Sequence, residues 1–125
     1  MTQKAGIIAV ATPTGRSGIG VIRVSGSQEL IRYIWDSVIK IPVVKYRYAY
    51  YTPLYDPDGN VIDQGIVLWF QAPNSYTGED VLEFQLHGNP VILDLTVKAC
   101  LKFGEKQGLR RAEPGEFTRR PRSPE

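Results

Sequence analysis

The sequence predicts an α+β fold in which two main helices pack on one side of a mixed β-sheet. Short apolar segments of strand length lie near the start of the chain, at residues 7–11 and 21–25. Two longer segments, which follow Ser27 and Asn89, carry apolar residues at helical spacing. Between these helices lie three segments with strand patterns. The predicted order of elements, with a last short strand, is therefore β-β-α-β-β-β-α-β.

The first two predicted strands are joined by a glycine-rich connection. Its Gly15, Gly18 and Gly20 superficially resemble the spacing of a phosphate-binding loop. Both common types of nucleotide-binding loop lead into a helix, whereas a strand follows here. No G-x-x-x-x-G-K-[ST] motif occurs in the chain. The pattern therefore favours a tight connection between strands over a nucleotide site.

The first helix is predicted to begin after Ser27, a favourable N-cap, with Glu29 in its first turn. Pro42 marks its end. Its apolar positions recur at helical spacing and are expected to face the core: Leu30, Ile31, Ile34, Trp35, Val38 and Ile39.

Residues 46–54 and 61–70 are predicted to pair as a hairpin, because the turn sequence Asp56-Pro57-Asp58-Gly59 separates them. The second strand ends in an apolar run, as expected of a central strand. The first strand is expected to place three tyrosines on one face, which fits either a half-buried surface or a platform for stacked bases: Tyr46, Tyr48 and Tyr50.

A second helix is predicted from Asn89 as N-cap and Pro90 as first residue, through Phe103, to Gly104. Its apolar stripe is expected to contain Ile92, Leu95, Ala99 and Phe103. The segment that follows, residues 109–118, predicts one or two short strands broken at Pro114-Gly115.

Composition limits the class of protein. A chain of 125 residues and 14.0 kDa allows one compact domain. The single cysteine, Cys100, excludes an internal disulfide framework and indicates a reducing cytoplasm, where an inert buried thiol is expected. No apolar run approaches the roughly 18–20 residues of a membrane span. The net charge of +2 lies in residues 119–125, so the body of the domain shows no sign of a nucleic-acid or membrane surface.

Charged and polar residues interrupt two of the apolar strands. Residues 81–87 alternate, so that Glu83, Gln85 and His87 face one way and need solvent or a ligand. Arg23 interrupts an otherwise apolar strand. The structural interpretation is that Arg23 and Glu83 form an ion pair and that His87 is hydrogen-bonded without a role in binding or catalysis. The functional interpretation is an arginine and a carboxylate that together bind a ligand with acidic and amidine-like groups.

Three stretches of the sequence resemble the amino-terminal domain of the bacterial tRNA-modifying GTPase family MnmE, also called TrmE. They are IIAVATPTGRSGIGVIRVSG, DPDGNVIDQGIVLWFQAPNSYTGEDVLEFQLHGNPVILDL and EPGEFTRR. The resemblance extends from about residue 7 to 120. It implies a fold similar to the folate-binding domain of glycine-cleavage T-proteins, a 5-formyl- or 5,10-methylene-tetrahydrofolate ligand, and a homodimer. Full-length members hydrolyse GTP and, with the flavoprotein MnmG, modify the wobble uridine of tRNA.

The resemblance also implies site residues. Arg23, in V-I-R-V-S-G, and Glu83, at the end of T-G-E-D-V-L-E, match the folate-contacting residues of the family. Tyr76 and His87, in the neighbouring motifs, are further candidate contacts. A pterin offers N–H donors to a carboxylate and a folate tail offers carboxylates to an arginine, and either end remains open for either residue.

The sequence departs from the family pattern at three places. Leu86 and Asn89 stand where the family has glycines beside its H-G pair. Residues 121–125 lack the family's folate-contacting Lys, and the chain contains neither a P-loop nor the family's carboxy-terminal Cys, which Cys100 is not. We therefore expect a folate-binding, dimerising domain at residues 1–120, a disordered tail at 121–125 and no GTPase activity. The alternatives are a dimerisation scaffold without useful folate affinity and a stand-alone folate-dependent one-carbon transferase.

Overall fold

The computed structural model describes residues 5–11, 18–75 and 77–120. The strands are β1 Ile7–Val10, β2 Ile19–Gly26, β3 Tyr50–Tyr55, β4 Val61–Phe70, β5 Asp80–His87 and β6 Arg110–Arg111. The helices are α1 Gln28–Ile34, α2 Pro90–Phe103 and α3 Glu116–Arg119, with a π-helical turn Trp35–Ile39 after α1 and a 3₁₀ turn Glu105–Gln107 after α2.

The six strands form one mixed sheet in the order β3-β4-β5-β2-β1-β6. Neighbouring strands are antiparallel except β1 and β6, which run parallel. The predicted α+β class, with two main helices on a mixed sheet, is confirmed. Within the described ranges no helix is long and apolar enough to cross a membrane.

One face of the sheet holds the core. Side chains alternate along a strand, and every second residue of the central strands is buried beneath α1 and α2. Trp35, Trp69 and Phe84 are the largest fully buried side chains of this core. The opposite face, which we call the open face, carries Arg23 and Glu83, and neither main helix covers it.

The first helix begins as predicted but changes its geometry halfway. Ser27 accepts a hydrogen bond from the Leu30 amide at 3.1 Å, as an N-cap does. All six predicted apolar residues are buried. The α-helix ends at Ile34, however, and the π-helical turn carries the chain to Lys40. In this wider turn the Trp35 indole N–H donates to the Ile41 carbonyl at 2.7 Å, which fixes the ring in the core.

The strand predicted at residues 46–54 begins only at Tyr50, so the prediction is wrong for residues 46–49. Arg47 adopts a left-handed conformation with φ of 62°, and its amide donates to the Trp69 carbonyl at 2.9 Å. The Tyr46 ring packs edge-on against Trp69, with the centroids 5.2 Å apart. These contacts turn the chain, so the three tyrosines do not share one strand face.

Residues 40–49 form a loop that we call the basic loop. Three exposed cations of this loop lie over aromatic rings: Lys40 is 4.7 Å from the Tyr55 centroid, Lys45 is 5.0 Å from Tyr48, and Arg47 is 5.8 Å from Phe70. The Lys45 amide also donates to the Tyr50 hydroxyl at 2.8 Å. The basic loop thus contacts both ends of β3.

Helix α2 has the predicted ends, with the Asn89 side chain accepting from the Val91 amide at 2.8 Å and Gly104 at the C-cap. The predicted apolar stripe is partly wrong, because Leu95 is 48% exposed. The helix is rotated so that a neighbouring line of residues faces the sheet: Thr96, Val97, Ala99 and Cys100.

The predicted strands at residues 109–118 are reduced to the two residues of β6, and α3 replaces any second strand. Gly115, at φ 76°, turns the chain in a conformation that favours glycine. The Glu116 carboxylate then accepts a hydrogen bond from the Glu113 amide at 2.9 Å. This bond closes a turn and is not part of a strand pairing.

Candidate ligand-binding site

Arg23 and Glu83 are direct neighbours on the open face. The register of β2 and β5 places them opposite each other, and the Arg23 Nε donates to the Glu83 Oε1 at 3.0 Å. Their side chains are 33% and 13% exposed, so the pair lies at the boundary between protein and solvent. The two residues that the sequence singled out are therefore brought together. The Arg23–Glu83 ion pair expected from the structural interpretation is present.

Gln85 completes this group, as the alternation of β5 predicts. Its amide nitrogen donates to the Glu83 Oε2 at 2.8 Å. Each carboxylate oxygen of Glu83 thus accepts one hydrogen bond, and each oxygen has capacity for a second. Arg23 and Gln85 fix the orientation of the carboxylate, and an acceptor held in one orientation suits a ligand with adjacent N–H donors.

A cleft of about 410 Å³ lies beside this pair. Arg23 and the end of β1 line one side, and residues 112–118 line the other. Its volume is within the range of roughly 300–1,000 Å³ that is usual for small-molecule sites. Glu83 is adjacent to Arg23 but does not line the cleft. Arg23 is therefore the residue that connects the Glu83 carboxylate with the cleft.

A second polar network holds the residues around the cleft. We call it the Arg120 clamp: the Arg120 guanidinium donates to the Glu79 Oε1 at 2.9 Å and to the Glu116 Oε2 at 3.3 Å. It also donates to the Ala5 carbonyl at 2.8 Å, and Arg120 is only 7% exposed. Ser25, next to Arg23 on the same face of β2, donates to the same Glu79 oxygen at 2.7 Å.

Glu116 is the most strongly bound carboxylate of this network. Arg110 donates to its two oxygens at 2.8 and 2.6 Å, and the Glu113 amide donates to one of them. These hydrogen bonds, led by those from Arg110, lower the pKa of Glu116 from 4.5 to about 2, against the opposing effect of burial. The group is therefore ionised at neutral pH and holds α3 in place.

His87 lies at the far end of β5. It is four positions along the strand from Glu83, about 13 Å away, so the structure does not bring the two together. Its side chain is 69% exposed, and the Nδ1 is 3.0 Å from the Asp63 Oδ2. Burial alone raises the pKa of Asp63, but hydrogen bonds from the His87 side chain and from backbone amides outweigh it and lower that pKa. This geometry fits the interpretation of His87 as a hydrogen-bonded residue with a structural role.

Tyr76 and residues 121–125 lie outside the described residues. Cys100 is fully buried in α2, and burial raises the pKa of its thiol to about 12, which fits an inert side chain. Among the described residues, no three histidine, cysteine, aspartate or glutamate side chains are grouped so as to hold a metal ion.

A comparison with protein families identifies the domain. Residues 6–122 match the family described as the GTP-binding protein TrmE N-terminus. The chain belongs to the TrmE amino-terminal family. The match includes every described strand and helix, as well as Arg23, Glu83, Arg120 and the two carboxylates that Arg120 binds, Glu79 and Glu116.

Two curated relatives of this TrmE domain have closely similar sequences. The tRNA modification GTPase MnmE of Ralstonia nicotianae is 54% identical over 114 residues, which are 91% of this chain and 23% of that protein. The protein of the same name from Erwinia tasmaniensis is 55% identical over 116 residues, which are 91% of this chain and 24% of that protein. The chain thus spans about a quarter of the length of these MnmE relatives.

Sequence reasoning missed part of the site. The Arg120 clamp joins Ala5, Glu79 and Glu116, which lie up to 115 residues from Arg120 and show no shared pattern. Their only signal was that Glu79 and Glu116 stand in the T-G-E-D and P-G-E-F stretches that carry the family resemblance. Asp63, the partner of His87, gave no signal.

Proposed function

We propose that this TrmE domain binds a reduced folate, 5-formyl- or 5,10-methylene-tetrahydrofolate, on the open face at Arg23 and Glu83. The observation that carries the proposal is the oriented Glu83 carboxylate, paired with an arginine that lines a cleft of suitable volume. Glu83 accepts from the amidine-like N–H groups of the pterin. Arg23 and the cleft hold the remainder of the ligand.

Within the longer protein, the proposed role of this domain is to hold the one-carbon donor for tRNA wobble-uridine modification. The MnmE relatives are named for tRNA modification and for a GTPase activity. The flavoprotein MnmG, GTP and tRNA are partners of the longer protein in this proposal. The cytoplasm is its proposed location.

Glu83→Gln is expected to weaken binding of 5-formyl-tetrahydrofolate by about 1–3 kcal/mol, the scale of a lost hydrogen bond to a charged group. Calorimetric titration measures this loss. The amide oxygen of Gln can still accept from Arg23, and the pair is partly solvated, so the thermal unfolding midpoint should change little.

Asp36→Asn provides the matched control, because Asp36 also pairs with an arginine, Arg32 at 3.4 Å, but on α1 and its π-helical turn. Its folate affinity should equal that of the wild type. The proposal is wrong if neither the wild type nor any variant binds folate and Glu83→Gln sharply lowers the unfolding midpoint. Arg23 and Glu83 would then be a structural ion pair.

We further propose that the domain forms a homodimer through the β4 side of the open face. Ile66, Leu68 and Phe70 lie there, half-buried and without a covering helix. Light scattering at micromolar concentration should give twice the monomer mass of 14.0 kDa. Ile66→Glu should reduce this to one copy.

The control for this variant is Leu95→Glu, which places the same charge on an exposed apolar residue of α2. It should remain dimeric. A wild type that scatters as a monomer throughout the micromolar range would refute dimerisation by this domain.

A second candidate function is a dimerising scaffold that binds no folate. It is favoured by the observation that Arg23 and Glu83 are already paired with each other. A dimer without folate binding would identify it.

A further inference from the structure

Residues 112–119 form a wall of the cleft, yet little apolar burial holds them in place. Of this segment only Glu116 is buried, while Ala112 and Phe117 are half-buried. Helix α3 has four residues, too few to be stable by itself. The backbone contributes one sheet-like hydrogen bond at the start, from the Ala112 amide to the Ile8 carbonyl at 2.9 Å. Polar contacts are therefore important for the position of this wall.

The Arg120 clamp supplies polar contacts beyond those that Arg110 makes to Glu116. Its guanidinium reaches three separate parts of the domain, namely Glu79 before β5, Ala5 before β1, and Glu116 on α3. A buried arginine with several directed hydrogen bonds holds its partners in one geometry, which a flexible lysine does less well. Removing the guanidinium would deprive the carboxylates of Glu79 and Glu116 of a positive charge and of hydrogen bonds that offset their partial burial.

The clamp is attached to the same two strands that carry the ligand pair. Ser25, two residues from Arg23 on β2, donates to the Glu79 oxygen that Arg120 also binds. Ser25 is also 2.6 Å from the Thr77 hydroxyl. Glu79 directly precedes β5, which carries Glu83. A displacement of Glu79 or of α3 therefore changes the cleft on the side opposite Arg23.

We propose that Arg120 is a positioning residue of the ligand site: through Glu79 and Glu116 it docks residues 112–119 and so closes the cleft beside Arg23. It acts without touching the ligand. This inference rests on the proposed folate site and adds to it a coupling between ligand affinity and the docking of α3. Such coupling is reciprocal, so a bound ligand stabilises the docked segment.

The test combines hydrogen exchange with titration of 5-formyl-tetrahydrofolate. In Arg120→Gln, the amides of residues 116, 119 and 120 should exchange faster, while those of β5 remain protected. Folate affinity should fall about tenfold, within the 5- to 150-fold range that is usual for coupled sites. In Arg120→Lys, both effects should be smaller, because one ammonium replaces part of the contacts. Saturating ligand should slow exchange of the same amides in the wild type.

Arg119→Gln is the matched control, since Arg119 is the preceding residue, is exposed, and has a guanidinium that contacts the Pro114 carbonyl and Glu113 of its own segment. It should retain wild-type affinity and exchange. Glu79→Gln tests the clamp from its other end and should reproduce Arg120→Gln, even if the latter folds poorly.

The outcomes separate the two proposals. Wild-type protein that does not bind the folate overturns the proposed function. Wild-type binding with unchanged affinity in both Arg120→Gln and Glu79→Gln overturns the positioning role alone. Unchanged exchange of residues 116–120 in these variants, or equal losses in Arg119→Gln, also overturns it.

Discussion

Trp69→Ala should lower the free energy of unfolding by about 3–5 kcal/mol, which is the usual cost of truncating a buried tryptophan. Trp69 is fully buried on β4, and its ring lies 5.7 Å from that of Trp35 and 5.2 Å from that of Tyr46. Its indole N–H donates to the buried Asp80 carboxylate at 2.8 Å. The substitution opens a cavity and also removes this donor. Denaturant unfolding followed by far-UV circular dichroism measures the loss.

Trp69→Phe separates packing from hydrogen bonding. It retains most of the ring contacts with Trp35 and Tyr46 but leaves Asp80 with the Ala72 amide as its other donor, at 3.0 Å. We expect this variant to lose about 1–3 kcal/mol, the cost of an unsatisfied buried partner. A loss below about 1 kcal/mol in Trp69→Ala would show that Trp69 does not anchor the core.

Glu116→Gln should lower the free energy of opening residues 112–119 by about 1.5–3 kcal/mol at pH 7, the range for hydrogen bonds to charged groups. The amide cannot accept from Arg110 at both oxygens, and Arg110 and Arg120 lose their shared negative charge. Native-state hydrogen exchange of the α3 amides measures the opening free energy.

The same variant should remove a pH dependence. The pKa of Glu116 is about 2 in the folded protein and 4.5 as a reference, so its ionised form favours the docked state. That stabilisation is complete above pH 4.5 and is lost as the pH falls towards 2. Wild type and Glu116→Gln should therefore converge at low pH. Parallel pH profiles for the two proteins would contradict this role of Glu116.

Local signals in the sequence were sufficient for much of the fold. Asn89, Pro90 and Gly104 set the ends of α2 through contacts within a few residues, and Ser27 set the start of α1 in the same way. The side-chain period of two on β5 also placed Glu83 on the face opposite the core. These features depend on neighbours in the chain, so a single sequence can predict them.

Features that depend on distant residues were not predictable in this way. Arg47 leaves the strand conformation because its amide meets the Trp69 carbonyl, 22 residues later in the chain. Arg120 is held by the Glu79 carboxylate, 41 residues earlier in the chain, and by the Ala5 carbonyl, 115 residues earlier. In the site, Arg23 and Glu83 stood out as charges among apolar neighbours. Arg120, in a run of polar residues, did not.

The two edges of the sheet determine how this domain avoids uncontrolled self-association. At one edge β3 contains Pro53, which has no amide to donate, and an irregular register between Leu54 and Tyr55. The basic loop brings Lys40 and Lys45 to the two ends of that strand. At the other edge β6 has only two residues, both exposed arginines. Short, charged or proline-interrupted edges are poor templates for an added strand, so growth into extended β-aggregates is disfavoured.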